Sequence, residues 1–241
     1  MELNLLHFYP DLMSLYGSYA NLSVLARTLE TMGNTVTITY VEPGDEADIL
    51  GADFLFMGAG TEKRQKFALA DFVRHGDEVK KAAQDGTPML FCGTAMELLG
   101  KTILDESEKE YSGIGLGDFT AKQQVRRIVE DVYGHTKLFD APMVGFINKS
   151  SILTGVETPL LTSMNLGFGN EAEGGAEGFL YQNVIGSHLT GPILAKNPRL
   201  LETVIAAIYA KRGAQCPEIP KDQWAEQGYA VTARELKARC K

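Results

Sequence analysis

Short apolar runs alternate with segments of helical periodicity over the first part of the chain, and this alternation limits the fold more than any other feature. Asn21 precedes the first helical segment and is expected to be its N-cap, and a second segment is interrupted near Gly76. The resulting order, βαββαβα, predicts an α/β fold with a doubly wound, mostly parallel sheet. The runs typical of strands are Leu3–Phe8, Asn34–Val41, Ala52–Gly60 and Thr87–Cys92, and the last two are typical of buried strands.

The second half of the chain differs from the first, because glycine and β-branched residues become frequent after Gly100. Segments such as RRIVEDVYG and APMVGFIN are typical of strands, so we expect mixed or antiparallel strands in addition to the parallel sheet. A closing helix begins at Pro198 and ends before Gly213. We therefore expect one domain over residues 1–212 and a C-terminal tail over residues 213–241 that contains a short helix.

The composition argues against several classes of function. The formal net charge of -8 over 241 residues repels phosphate backbones, so we expect no nucleic-acid partner. No apolar run approaches the ~18 residues of a membrane span, and the first residues lack the pattern of a signal peptide. Three widely spaced cysteines and four scattered histidines argue against disulfides and a zinc site. We therefore expect a cytoplasmic protein without a metal or a cofactor.

Cys92 lies where a buried strand runs directly into a helical segment, in the stretch LFCGTAMELLG. Ligands collect at the carboxyl ends of parallel strands, and a helix N-terminus at that edge favours the thiolate form of a cysteine. Gly93 can adopt the tight turn and direct its N–H at a developing oxyanion. The pattern predicts an exposed nucleophile whose pKa is lowered. The alternative is a thiol in the core, since free cysteines are often buried.

Six short segments, in the order of the chain, resemble motifs of cobyric-acid-synthase-type class I glutamine amidotransferases. HFYPDLMSLYGSYAN is similar to H-L-Y-P-D-L-M-N-L-Y-G-D-R-G-N, GAGTEKRQ to G-G-G-Q-D-x-x-Q, and LFCGTAMELLGK to C-G-G-Y-Q-L-L-G. RRIVEDV is similar to R-F-I-G-D-V, GFINKS to G-Y-E-N-H, and GSHLTGPILAKNP to G-T-Y-L-H-G-P-L-L-P-K-N-P. The resemblance covers about residues 4–212. Within the family it is strongest to the glutaminase subunits of lipid II isoglutaminyl synthases.

The resemblance implies an enzyme that releases ammonia from L-glutamine. In this chemistry a thiolate attacks the side-chain amide, backbone N–H groups bind the oxyanion, and a histidine protonates the departing ammonia before water cleaves the thioester. By resemblance, Cys92 is the nucleophile, and Gly58, Gly60 and Gly93 supply the oxyanion donors. Arg127 matches the arginine that holds the substrate carboxylate. The ammonia would pass to a Mur-ligase-like synthetase subunit that uses ATP to amidate a cell-wall precursor.

The resemblance fails at several positions that are functional in the family motifs. Thr61, Met96 and Lys149 stand where the family motifs have glutamine, glutamine and histidine. The catalytic histidine is the fifth letter of G-T-Y-L-H-G-P, and Thr190 occupies that position here. His188 lies two positions earlier. In an extended strand these two positions share a face, roughly 6.5 Å apart, which makes His188 the expected catalytic acid.

Two functions therefore stay open. In the first, a pair formed by Cys92 and His188 hydrolyses glutamine for the synthetase. In the second, the chain is a catalytically degenerate homologue that acts as a binding or regulatory subunit, because loss of a general acid slows such reactions about 10²–10⁴-fold. The retained cysteine favours the first function, and the replaced glutamine and histidine positions favour the second. A free-standing cysteine hydrolase fits the turn at Cys92 but not the six ordered motifs.

Overall fold

The computed structural model describes residues 1–240 and contains two six-stranded sheets, with strands numbered in chain order. The strands of the first sheet are β1 (Glu2–Phe8), β2 (Thr35–Val41), β3 (Phe54–Met57), β4 (Met89–Cys92), β10 (Phe179–Tyr181) and β11 (Val184–Ser187). Their order is β10-β11-β4-β3-β1-β2. Every neighbouring pair is parallel except β10 and β11. The expectation of a mostly parallel sheet is therefore confirmed.

Helices cover both faces of this sheet, as the doubly wound pattern predicts. In chain order the helices are α1 (Ala20–Thr31), α2 (Glu62–Phe72), α3 (Gly76–Gln84), α4 (Thr94–Glu97), α5 (Ile193–Lys196), α6 (Pro198–Lys211) and α7 (Gln223–Arg239), of which α7 packs on the second sheet. The break expected near Gly76 is present, since a short 3₁₀ turn over Val73–His75 separates α2 from α3. The break divides one long helical segment into two.

Alternate side chains of the central strands pack on opposite faces. Phe54 packs with Leu25 of α1 and Ile205 of α6 on one face. Its neighbour Leu55 packs with Phe72 of α2 on the other face. Because all of these side chains are almost completely buried, the parallel sheet forms the rigid centre on which the loops at its carboxyl edge are held.

The second sheet contains the added mixed strands that the sequence predicts. Its strands are β5 (Thr102–Leu104), β6 (Glu110–Ser112), β7 (Thr120–His135), β8 (Met143–Thr154), β9 (Ser163–Leu166) and β12 (Leu189–Thr190). The order is β12-β8-β7-β5-β6, with β9 paired to β7, and only β5 and β7 are parallel. A single residue, His188, separates β11 of the first sheet from β12 of the second. The chain therefore crosses between the two sheets at His188.

The C-terminal tail contains a 17-residue helix, α7, which is longer than the short helix expected from sequence. Leu236 on α7 packs with Tyr133 of β7 and Val144 of β8, so the tail covers part of the second sheet. Trp224 lies in the first turn of α7 and is 76% exposed. The division between residues 1–212 and 213–241 stays a prediction. Within residues 1–240, no helix is both long and apolar enough to cross a membrane.

Candidate functional site

A sharp turn joins β4 to α4 and places Cys92 at the carboxyl edge of the parallel sheet. Gly93 adopts φ 58° and ψ -131°, a conformation that residues with a side chain rarely adopt. A Cβ atom built onto Gly93 would lie 2.7 Å from the Cβ atom of Ala59. Both conformation and space therefore require glycine directly after the cysteine. This strand–turn–helix geometry agrees with the turn predicted from the sequence.

The Cys92 thiol is buried, contrary to the prediction of an exposed nucleophile. Its side chain packs on the α1 face of the sheet, and Asn21 Nδ2 donates a hydrogen bond to Sγ at 3.6 Å. Asn21 is not the N-cap that we expected, because α1 begins at Ala20 and Asn21 lies in its first turn. Burial raises the pKa of the Cys92 thiol, and the carboxylate of Glu177 raises it further. The thiol form therefore dominates at neutral pH, and the predicted lowering of the pKa is wrong for this conformation.

The N–H groups expected to bind an oxyanion already have partners within the chain. Gly93 N donates to Ser187 O at 2.7 Å, and Gly60 N donates to Thr94 Oγ1 at 3.0 Å. Gly58 has no room for even one additional carbon, since a Cβ atom there would lie 2.2 Å from Met13 O. The turn Gly58–Gly60 therefore packs directly on the residues around Cys92, and this conformation is closed.

The His188 imidazole contacts groups other than the Cys92 sulfur. Ser187 pairs with Cys92 across β11 and β4, and His188 follows Ser187 beyond the end of β11, where its Nδ1 lies 3.9 Å from Glu177 Oε1. His188 Nε2 lies 3.2 Å from Glu97 Oε1 and 3.2 Å from Ser151 Oγ. The structure does not bring His188 and Cys92 together. The expectation fails because the chain changes sheets at His188 and does not continue as one extended strand.

Thr190 lies beside the turn at Cys92, where the resemblance places the catalytic histidine. A Cβ atom built onto Gly93 would lie 3.8 Å from Thr190 Cγ2. The Thr190 hydroxyl donates a hydrogen bond to Phe146 O of the neighbouring strand β8 at 3.1 Å, so its proton already has an acceptor. A threonine hydroxyl is also a far weaker acid than an imidazolium. Thr190 therefore offers no imidazole beside the turn at Cys92.

A buried polar cluster surrounds Glu97, and the sequence analysis missed it. Gln65 Nε2 donates to Glu97 Oε2 at 2.7 Å, and Gln123 Nε2 donates to the same oxygen at 3.2 Å. Burial opposes ionisation of Glu97, but hydrogen bonds from His188, Ser151 and Gln65 hold its pKa below the usual value. A signal for this cluster was present in the sequence, because Glu97 is a charged residue inside the apolar run AMELL.

Two more buried charged side chains extend the cluster towards β11. Glu177 Oε1 accepts a hydrogen bond from His188 N at 2.7 Å, and Glu177 Oε2 accepts one from Ser187 Oγ at 2.9 Å. Burial raises the pKa of Glu177. Lys149 Nζ donates to Gly169 O at 2.6 Å, and burial lowers the pKa of Lys149 to about 8. Lys149, at the position where the resemblance expects a histidine, is thus a buried amine that bonds a backbone carbonyl.

Arg127 lies at the edge of a separate cleft between α2 and β7. Its guanidinium forms an ion pair with Glu62 and donates to Asn148 Oδ1 at 3.0 Å. Ser150 Oγ donates to the same Glu62 oxygen at 2.8 Å. The Glu62 carboxylate therefore occupies the fork that the resemblance assigns to the substrate carboxylate. The cleft has a volume of about 710 Å³, and its walls include Lys66, Phe67, Tyr111, Gln123 and Val125, but not Cys92.

Thr61 and Met96, the remaining replacements, have structural roles. Thr61 is the N-cap of α2, and its hydroxyl accepts a hydrogen bond from Arg64 N. Met96 packs against Gly186 of β11, where a Cβ atom would lie 2.6 Å from Met96 Cγ. Among residues 1–240, no group of three or more histidine, cysteine, aspartate or glutamate side chains could hold a metal ion.

Comparison with known proteins gives consistent matches. The model of the CobB/CobQ-like glutamine amidotransferase domain matches residues 4–198. Lipid II isoglutaminyl synthase (glutamine-hydrolyzing) subunit GatD of Streptococcus pneumoniae is 31% identical over 223 residues, which are 91% of this chain and 85% of the relative. The subunit GatD of Staphylococcus aureus is 27% identical over 221 residues, which are 92% of this chain and 89% of that relative.

A crystal structure of a glutamine amidotransferase has the same fold. The match has a TM-score of 0.51 and 16% sequence identity, and it covers 84% of this chain and 98% of that chain. At this identity the likeness concerns the fold alone. Together with the strand order described above, it confirms the fold class expected from the sequence.

Proposed function

Because the chain belongs to the CobB/CobQ-like glutamine amidotransferase family, we propose that it is the glutaminase subunit of a two-subunit enzyme that amidates a cell-wall precursor. Two relatives that it matches over most of its length are named glutamine-hydrolyzing subunits of lipid II isoglutaminyl synthase. The substrate of this subunit is L-glutamine. We infer that it works in the cytoplasm, where glutamine and ATP are both available.

One observation carries the proposal, namely the position of Cys92 and Gly93 on a sharp turn at the carboxyl edge of the parallel sheet. Nucleophilic cysteines of this reaction class need such a turn, which puts the thiol beside backbone N–H groups. The Cys92 sulfur attacks the side-chain amide carbon of glutamine and forms a thioester. The thiol proton goes to the amide nitrogen, which leaves as ammonia. Water then cleaves the thioester, giving glutamate and the free thiol.

The closed conformation sets a condition on this reaction. Ala59 lies so close to Gly93 that a Cβ atom on Gly93 would be 2.7 Å from Ala59 Cβ, and we infer that the turn Gly58–Gly60 moves when an amide binds beside Cys92. Opening also admits water, which lowers the raised pKa of the thiol and carries its proton to the amide nitrogen, since neither Thr190 nor His188 offers an imidazole there. We therefore expect the free chain to hydrolyse glutamine slowly and a partner subunit to accelerate the reaction.

The partner that fits this role is a Mur-ligase-like synthetase. Amidation of a carboxylate needs activation by ATP, and the sequence of this chain contains no G-x-x-x-x-G-K-[ST] motif for that step. Ammonia released into water is protonated and lost to the synthesis. A subunit that opens the glutamine site only on assembly would prevent this loss.

A second candidate function is favoured by Thr190 and by the occupied N–H groups. In this case the chain is a catalytically degenerate homologue that binds or regulates the synthetase and does not supply ammonia. The buried Cys92 is then a core residue, stabilised by the contact from Asn21. The two candidates share the partner and differ only in whether glutamine is hydrolysed at Cys92.

Co-expression with a Mur-ligase-like subunit separates the two candidates. Glutamate formation from L-glutamine is measured with the wild-type chain and with Cys92→Ser, each alone and in the complex. The proposal requires slow hydrolysis by the free chain, faster hydrolysis by the complex, and loss of both in Cys92→Ser. Hydrolysis by the complex that is no faster than with Cys92→Ser would overturn the proposal and establish the degenerate subunit, provided that gel filtration shows the complex.

A further inference from the structure

Two side-chain hydroxyls hold the turn Gly58–Gly60 against the residues around Cys92. Thr94 Oγ1 accepts a hydrogen bond from Gly60 N at 3.0 Å and donates one to Gly60 O, also at 3.0 Å. The N–H and the carbonyl oxygen of Gly60 are thus both hydrogen-bonded to the Thr94 hydroxyl. The backbone of Gly60 cannot turn towards a ligand until this pair of bonds breaks.

Ser18 makes the second contact, from the loop that follows β1. Ser18 Oγ accepts a hydrogen bond from Ala59 N at 3.2 Å, and Ala59 O accepts one from Leu15 N at 2.8 Å. Ser18 itself is completely buried. The middle residue of the turn is therefore fixed by the loop that follows β1, and Gly60 is fixed by Thr94.

The Thr94 hydroxyl is not required by the turn at Cys92, because the conformation of that turn is set by Gly93, with φ 58° and ψ -131°. The local helix does not require threonine either, since Gly93 is the N-cap of α4 and Thr94 follows it. The bonds from Thr94 lead across to another loop, and their effect is to join the turn at Cys92 and Gly93 to the turn Gly58–Gly60.

We propose that Thr94 and Ser18 form a clamp that keeps the glutamine site shut, and that release of the turn Gly58–Gly60 from these two hydroxyls is the opening step. Thr94 and Ser18 are positioning residues, because they act through Gly60 and Ala59 and do not touch the reacting atoms. This inference rests on the proposed function for the identity of the substrate. The clamp itself concerns only access to the Cys92 sulfur.

The rate at which iodoacetamide alkylates Cys92 tests the clamp without any need for turnover. The full chain is prepared as wild type, Thr94→Ala, Thr94→Ser, Ser18→Ala and the double variant Thr94→Ala/Ser18→Ala. Peptide mapping by mass spectrometry gives the rate for Cys92 alone. Thr28→Ala is the matched control, because Thr28 Oγ1 also donates to a backbone carbonyl, Val24 O, but in α1.

We expect the double variant to raise the alkylation rate about tenfold or more, since two loop contacts are lost, and each single alanine variant to raise it less. Thr94→Ser keeps the hydroxyl and should behave as the wild type, as should Thr28→Ala. Amide hydrogen exchange at Ala59 and Gly60 should accelerate in the double variant while exchange in β3 and β4 stays slow. This pattern distinguishes an opened turn from an unfolded chain.

Equal alkylation rates in the wild type and the double variant, with unchanged exchange at Gly60, would overturn the clamp. That result would leave the proposed function intact if the complex still hydrolyses glutamine. Faster alkylation in the double variant of a chain that never hydrolyses glutamine would support the clamp and refute the function. The two failures are therefore separate.

Discussion

His188 Nε2 lies 3.2 Å from Glu97 Oε1, so the imidazole bonds this carboxylate, whereas the Cys92 sulfur accepts its hydrogen bond from Asn21. Burial lowers the pKa of His188 to about 4, with a further contribution from the positive charge of Lys149, so the ring is neutral at pH 7. A neutral, fully buried imidazole that bonds a carboxylate stabilises the join between the two sheets. It is not placed to protonate ammonia.

Replacement of His188 by alanine should therefore change stability and not catalysis. His188→Ala leaves Glu97 with one fewer hydrogen-bond partner inside the protein, which we expect to lower the free energy of unfolding by about 1–3 kcal/mol in urea titrations. Glutamine hydrolysis by the complex should stay near the wild-type rate. His135→Ala, at a partly exposed position in β7, is the control. Loss of hydrolysis with unchanged stability would restore His188 as the acid.

Thr190→His should accelerate glutamine hydrolysis by the complex. The substitution puts an imidazole beside the turn at Cys92, and a positioned general acid contributes about 10²–10⁴-fold to such reactions. Because Thr190 is buried, the larger side chain is expected to cost about 1–3 kcal/mol of stability, which thermal unfolding will show. Thr190→Val, which removes only the hydroxyl, should show no acceleration. A folded Thr190→His chain that is no faster than Thr190→Val would contradict the assignment.

Alkylation of the folded wild-type chain should reach the three cysteines in a definite order. Cys92 is completely buried and its pKa is raised, whereas Cys216 and Cys240 are partly exposed in the tail. At pH 7 we expect iodoacetamide to modify Cys216 and Cys240 first and Cys92 last. In urea all three should react at similar rates. Preferential reaction of Cys92 in the folded chain would mean that the site is open in solution.

Lys149 should make the free energy of unfolding of the wild type depend on pH in a range where that of Lys149→Met does not. Burial lowers the pKa of Lys149 from 10.5 to about 8, while Glu177 and Glu97 partly oppose the shift. Between these pH values the unfolded chain holds the proton and the folded chain does not. The free energy of unfolding of the wild type, relative to Lys149→Met, should therefore rise from pH 8 to pH 10.5, by up to about 3 kcal/mol. A flat difference would show that Lys149 is not titrating in this range.

Much of the fold and part of the site could be predicted from the sequence. The strands β3 and β4 are continuous apolar runs, and such runs are typical of a sheet covered on both faces, while β1 has three leucines and a phenylalanine between polar residues. The turn at Cys92 was also predictable, because a glycine follows the cysteine at the end of a buried strand. These features depend on residues close together in the chain.

The remainder depends on contacts between distant segments. The face that His188 takes is set by the crossing from β11 to β12, which no pattern of alternation shows. The ion pair of Arg127 with Glu62 joins residues 65 positions apart, so the sequence could not show that the fork is already occupied. The burial of Cys92 likewise depends on Asn21, 71 positions away.

The position of Trp224 in the first turn of α7 has a consequence for optical measurements. It is the single tryptophan of the chain and is 76% exposed, so its indole is already in contact with water in the folded state. Intrinsic tryptophan emission will therefore change little when the core unfolds or when the turn beside Cys92 opens. A subunit that covers the start of α7 would transfer the indole to an apolar surface and shift its emission to shorter wavelength. Fluorescence of this chain is a probe of one patch of its surface.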